Sequence, residues 1–151
     1  EKNSHFRKLG PEPLSNKFNQ KYLKNYFLNR KRTVKDILMD QKCVAGLGNI
    51  YVNEILFLSK IKPFKNVSKM SNNEITKLIL NTKKVLEDSI KLGGSSIKNF
   101  SSDDGKKGMF QQFFKVYGRK GEKCTNIACN TFIQRTTISN RATFFCEKCQ
   151  K

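Results

Sequence analysis

Four of the five cysteines in this 151-residue chain stand in two close pairs near the C-terminus. They read Cys124-Thr-Asn-Ile-Ala-Cys129, then sixteen residues, then Cys146-Glu-Lys-Cys149. Each short loop can turn its two sulfurs toward one point, so the four thiolates can meet at a single tetrahedral ion. Zinc is the expected occupant, because thiolates are soft ligands and four of them leave no coordination position open for chemistry. Between the pairs, Phe132–Thr137 and Ala142–Phe145 read as two strands joined by the polar turn Ser139-Asn140-Arg141. The expectation is a zinc-stapled β-hairpin with an arginine at its tip. Two structural disulfides would need an oxidising compartment, which nothing in the composition suggests. The fifth cysteine, Cys43, has no partner nearby in sequence and reads as a packed small residue.

Charge is the second chemical signal. Thirty Lys and Arg face twelve acids, a formal charge of +18. A field of that size attracts polyanions, phosphate backbones above all. A Lys-rich compositional bias would also raise it. Residues 105–151, however, carry ten basic and two acidic side chains, including Arg119, Arg135 and Arg141. A third signal is Gly46-Leu-Gly48-Asn49 ahead of an apolar stretch. A glycine turn feeding a helix N-terminus is a phosphate-sized site, although many such turns only cap a helix.

The elements that position these groups read as mostly helical. With 37% apolar residues and no Trp, the core is small. No apolar run is long enough to cross a bilayer and no leader pattern opens the chain, which sets an intracellular, reducing compartment as the expectation. Residues 1–14 hold Pro11 and Pro13 and read as an extended lead-in. Ser15 is placed to cap a first helix carrying Phe18, Tyr22, Leu23, Tyr26 and Phe27, which Arg30-Lys31-Arg32 ends. Thr33 caps a short second helix with Ile37 and Leu38 inward. Asn49 caps a third, about 50–60, closed by Pro63. Ser71-Asn-Asn-Glu74 is a capping box opening the longest helix, about 72–91, which Gly93 ends. Residues 93–112 are too long for a simple connector. Phe113–Tyr117 reads as a strand entering the finger. The opening on Glu1 suggests the middle of a longer protein.

In that order, Leu9-Gly-Pro-Glu-Pro-Leu14, Leu38 through Tyr51 (LMDQKCVAGLGNIY), Gly93-Gly-Ser-Ser-Ile97, Phe113-Phe-Lys-Val-Tyr-Gly118 and Asn140-Arg-Ala-Thr-Phe-Phe-Cys146 resemble the C-terminal half of the formamidopyrimidine-DNA glycosylases. The resemblance spans nearly the whole chain. It implies a mostly α fold with a small β zinc ribbon: a helix-two-turn-helix DNA-binding module followed by a four-cysteine zinc-finger β-hairpin. The implied division is 1–14 lead-in, 15–112 helical domain with a lesion-capping loop at 93–112, and 113–151 finger. It implies the DNA-binding half of a bifunctional glycosylase and abasic-site lyase that removes oxidised purines in base-excision repair. One structural zinc is expected on Cys124, Cys129, Cys146 and Cys149. The implied partner is double-stranded DNA carrying oxidised bases or abasic sites, expected to be met by a monomer in the bacterial cytoplasm, at the nucleoid.

Residue by residue, the resemblance makes Asn49 a phosphate ligand, Arg141 the finger arginine, Lys31 a DNA-binding lysine and Lys35 a lysine at the lesion. Ser95, Ser96 and Phe110 fall in the loop that folds over an extruded base. The family also gives Arg141 a part in δ-elimination. A guanidinium with a pKa above about 12 is a poor proton donor, so an electrostatic role at a departing phosphate is the physical expectation. Two departures stand out. The first knuckle has four residues between its cysteines where most members have two. The family's nucleophile, an N-terminal proline followed by glutamate, has no counterpart here, because Pro11 and Pro13 are internal amides and Glu1 is not that glutamate. These 151 residues alone are therefore expected to be inactive. The competing readings are a stand-alone zinc-ribbon protein that binds nucleic acid, and endonuclease VIII, with its oxidised-pyrimidine preference. The Gly-Gly-Ser-Ser loop favours the purine branch.

Overall fold

The structure, a computed structural model, describes residues 9–92 and 114–151. Among the described residues, four α-helices and one antiparallel hairpin carry the fold: α1 Gln20–Phe27, α2 Val34–Met39, α3 Asn49–Leu58, α4 Asn72–Lys91, β1 Gln134–Ile138 and β2 Arg141–Phe145. The expectations at Ser95, Ser96, Phe110 and Gly93 fall outside the described residues. No described helix is long and apolar enough to cross a membrane.

The centre of the molecule is α3. Six consecutive residues, Val52 to Phe57, are buried, which leaves that stretch no solvent face. The helix lies against α2, α4 and β2. Around it Phe18, Leu23, Phe27, Val34, Ile37, Leu38, Ile55, Leu56, Ile75 and Leu78 form one apolar core. A second, smaller cluster sits under the finger, where Phe57 meets Val116, Ile133, Phe144 and the buried cysteines. Phe57 thus joins the helical body to the finger. Cys43 is fully buried in the first core, as its isolation implied, and burial pushes its thiol up to about 12, which leaves it without thiolate chemistry.

Local signals placed several helix ends. Thr33 Oγ1 accepts from the Asp36 amide at 3.2 Å. The capping box closes in both directions, Glu74 N–H to Ser71 Oγ at 3.1 Å and Ser71 N–H to Glu74 Oε1 at 2.9 Å. Other ends moved. Asn19, not Ser15, caps α1, with Oδ1 accepting from the Tyr22 amide at 2.8 Å. Ser15 instead donates to the Glu12 carbonyl in a preceding turn, and Phe18, although fully buried, lies ahead of the helix. Helix α1 stops at Phe27, before the basic run, and Asn29 takes φ 62°. Asn49 is the first residue of α3 and Gly48 its cap, without a side-chain bond. The same helix ends at Leu58, well before Pro63, and Lys60 turns the chain at φ 61°.

Residues 9–12 of the lead-in lie against the turn before α3, with Gly10 N–H on the Gln41 carbonyl and Ala45 N–H on the Pro11 carbonyl, and 13–14 form a turn. A side chain at position 10 would run into the Cys43 carbonyl, so glycine is required there.

In the finger the hairpin register pairs Ile138 with Arg141 and Gln134 with Phe145. The turn is Ser139-Asn140, both at positive φ (50° and 64°), the mirror-image turn that matches strand twist. Arg141 therefore opens β2 rather than sitting in the turn. The strand expected at 113–117 is absent over its described residues, 114–117. A buried carboxylate captures that backbone instead, as described next.

Candidate nucleic-acid interface and metal centre

The finger's base is a cage of sulfur. The Sγ atoms of Cys124, Cys129, Cys146 and Cys149 all lie within 4.8 Å of one another. Two of the separations, Cys124–Cys149 at 3.8 Å and Cys129–Cys146 at 3.5 Å, are far beyond a disulfide bond, and all four thiols are free. A tetrahedral ion with metal–sulfur bonds of about 2.3 Å needs sulfurs about 3.8 Å apart. The donor set therefore fits one soft metal ion with a closed shell. Around it, Thr131 Oγ1 stands 2.9 Å from Cys129 Sγ and 3.1 Å from Cys146 Sγ, and Asn126 Nδ2 donates to Cys149 Sγ at 3.4 Å. Such contacts orient and stabilise thiolates. Gln150, wholly buried, ties this end to the helices: its Oε1 accepts from the Cys146 amide at 2.7 Å and its Nε2 donates to the Ile61 carbonyl at 2.9 Å.

At the other end of the hairpin, groups singled out in the sequence converge on one carbonyl. Ala142 O accepts from Asn49 Nδ2 at 3.1 Å and from Lys35 Nζ at 3.2 Å. Lys35, 1% exposed, also donates to Thr143 Oγ1 at 2.6 Å, and that hydroxyl donates on to the Arg141 carbonyl at 3.0 Å. Burial, with the nearby Arg141 guanidinium, lowers the Lys35 pKa to about 8, and Asp36 opposes the shift. Arg141 itself is exposed at the start of β2. Lys35, Asn49 and the backbone of Arg141 thus form one cluster although they lie on α2, α3 and β2. Lys31 is exposed in the linker between α1 and α2, away from that cluster's hydrogen bonds.

Two neighbours on α3 were not singled out in the sequence. Asn53 Oδ1 accepts from the Phe144 amide at 2.7 Å, and its Nδ2 reaches the Ala142 carbonyl at 3.4 Å and the Asn49 carbonyl at 2.9 Å. Glu54 accepts three successive amides, Lys115 at 2.6 Å, Val116 at 3.0 Å and Tyr117 at 2.9 Å. Burial raises its pKa, while those bonds and the Arg119 charge pull the other way. The signal was present: an Asn-Glu pair inside an otherwise apolar helical run must find buried partners.

A helical body with a glycine turn before its central helix, joined to a hairpin finger with four clustered thiols able to hold a metal ion, defines a helix-two-turn-helix protein with a four-cysteine finger. The model of the formamidopyrimidine-DNA glycosylase H2TH domain matches residues 9–101. The chain belongs to the formamidopyrimidine-DNA glycosylase H2TH-domain family. Among its relatives, the formamidopyrimidine-DNA glycosylase of Ruegeria sp. (strain TM1040) is 46% identical over 143 residues, 95% of this chain and 50% of that protein. Among solved structures, Lactococcus lactis Fpg with DNA containing FAPY-dG superposes with a TM-score of 0.84 at 37% identity, covering 99% of this chain and 54% of the other. The complex of L. lactis Fpg with DNA containing an abasic site reaches 0.85 at 38%, with the same coverage. The chain spans about half the length of the relatives it matches.

Proposed function

We propose that these residues are the DNA-gripping half of a base-excision repair glycosylase and abasic-site lyase acting on oxidised purines. The observation that carries this reading is the cluster at the Ala142 carbonyl. Two donors, Lys35 and Asn49, are held beside an exposed arginine, in a chain whose relatives have been solved on FAPY-dG and abasic-site DNA. In the free protein the donors are satisfied internally. A phosphate oxygen is a stronger acceptor than a carbonyl and can take them over. Arg141 adds a fixed charge at the hairpin tip, suited to a phosphate and, in the lyase step, to a departing one. Lys31 contributes long-range attraction.

Zinc is the metal we assign to the thiolate cage. It holds the finger and takes no part in the chemistry, since no ligand position is left open. By the same reading, residues 15–112 are the helical domain, 113–151 the finger, and Ser95, Ser96 and Phe110 belong to the loop that covers the extruded base. The protein works as a monomer on the bacterial chromosome, and so in the cytoplasm. None of Pro11, Pro13 and Pro63 offers a free amine. These residues therefore supply the grip and not the Schiff-base nucleophile.

Gel retardation with borohydride trapping tests the proposal. The 151-residue chain should retard a duplex containing 8-oxoguanine or an abasic site more strongly than an undamaged one, and should form no lesion-dependent covalent adduct. Equal retardation of damaged and undamaged duplex would remove the lesion from the reading. A fast adduct specific to 8-oxoguanine would show that a nucleophile is present after all.

A further inference from the structure

We propose that Asn53 is a positioning residue for the phosphate grip, its carboxamide pairing with the open edge of β2 and fixing where Arg141 stands relative to Asn49. The inference rests on the DNA-gripping reading above. In the hairpin register, Arg141, Thr143 and Phe145 turn their backbone groups toward β1, so those of Ala142 and Phe144 face away from it. An unpaired edge of this kind normally takes another strand or is covered. Here a side chain covers it. Asn53 accepts the Phe144 amide at 2.7 Å and offers its Nδ2 to the Ala142 carbonyl at 3.4 Å, the two outward groups a third strand would use.

Asn53 is itself fixed. It is 1% exposed, lies in the middle of α3 and donates to the Asn49 carbonyl at 2.9 Å. One carboxamide therefore touches the backbone of Asn49, of Ala142 beside Arg141, and of Phe144. The Ala142 carbonyl has two lone pairs and three donors around it, namely Asn49, Lys35 and Asn53. When Asn49 and Lys35 transfer to a phosphate, Asn53 remains to satisfy that carbonyl. The hairpin then keeps its place while the two ligands change partner. Asn49 and Arg141 lie far apart in sequence, and Asn53 links them through hydrogen bonds alone.

The test uses the full chain and a short duplex carrying a tetrahydrofuran abasic-site analogue. Asn53→Leu keeps the γ-branched shape, with two bulkier methyl ends, and removes both edge bonds. Asn53→Asp keeps the acceptor for the Phe144 amide, and its second oxygen, facing the Asn49 and Ala142 carbonyls, must carry a proton to donate as Nδ2 does, so this variant is read at a pH where the carboxyl is protonated. Asn53→Leu is expected to retain one zinc and its helical circular dichroism, while Phe144 amide exchange accelerates and duplex affinity falls roughly tenfold, the worth of about one hydrogen bond. Adding Arg141→Ala to Asn53→Leu should cost less than about twofold more, although Arg141→Ala alone costs roughly tenfold, because both act on one contact. Asn53→Asp should restore Phe144 protection and most of the affinity. Affinity within about twofold of the parent for Asn53→Leu, or additive losses in the double variant, would overturn the proposal. If Asn53→Leu fails to fold, Asn53→Asp decides, and an unprotected Phe144 amide in it is equally fatal. If Arg141→Ala binds as the parent does, the DNA-gripping reading itself fails, whatever the Phe144 exchange shows.

Discussion

The helical body and the finger are held by different physics. In the body, Phe18, Leu23, Ile37, Leu38, Ile55, Leu56 and Leu78 bury apolar surface around α3, and the helices would collapse on one another from that alone. The finger has one short hairpin and a small apolar cluster. Its shape comes from the sulfur cage at one end and from buried polar side chains along the joint. Lys35 and Asn53 hold β2, Glu54 holds the entry segment, and Gln150 holds the knuckle. Apolar packing tolerates small shifts, whereas a hydrogen bond to a named backbone atom fixes register. The region proposed to meet phosphate is the one built from directional bonds.

Removing the metal should separate the two regions most sharply. Structural zinc in small fingers carries about 10–16 kcal/mol of apparent binding energy, enough to decide whether the hairpin folds. Chelation, or Cys129→Ala, should abolish hydrogen-exchange protection in 134–145 while most of the helical circular dichroism remains. Complete loss of helix on chelation would mean that the body depends on the finger. Full zinc retention by Cys129→Ala would contradict the four-thiolate site.

A smaller effect probes the polar joint alone. Burial holds the folded Lys35 pKa near 8, below its ordinary 10.5. Between these values the unfolded chain keeps a proton that the folded one has released, so this group makes stability rise with pH from about 8 to about 10.5. Denaturant unfolding of the parent should show that rise relative to Lys35→Met, in which it is gone. Identical pH profiles would place the Lys35 ammonium in solvent rather than against Thr143.

The same division governs what could be read from the sequence. Thr33 and the Ser71–Glu74 box were legible because a cap bonds within three residues of itself. The cysteine spacing announced the cage for the same reason. Ser15 was misplaced as a cap because Asn16 and Asn19 stand near the same helix start, and Asn49 because its side chain has a long-range partner. Asn19 won at α1, and at α3 the Asn49 side chain was drawn to a carbonyl 93 residues away. Phe113–Tyr117 has strand composition, but Glu54, some sixty residues earlier, takes the amides of 115–117. Resemblance pointed to Lys35, yet its burial against Thr143 required the fold. Long-range polar contacts leave no periodicity, which hid Gln150, and the apolar run around Asn53 and Glu54 implied their burial without naming their partners.

The most direct test of the grip is fluorescence anisotropy of an abasic-site duplex from roughly 50 to 200 mM salt, with the parent, Arg141→Ala and Asn49→Ala. Arg141→Ala should weaken binding and flatten the slope of log affinity against log salt by about one unit, the signature of one lost phosphate charge. Asn49→Ala should weaken binding and leave the slope unchanged, because an amide releases no counterion. Parent-like affinity and slope in both variants would contradict the account, since the donors around the Ala142 carbonyl would then never meet a phosphate.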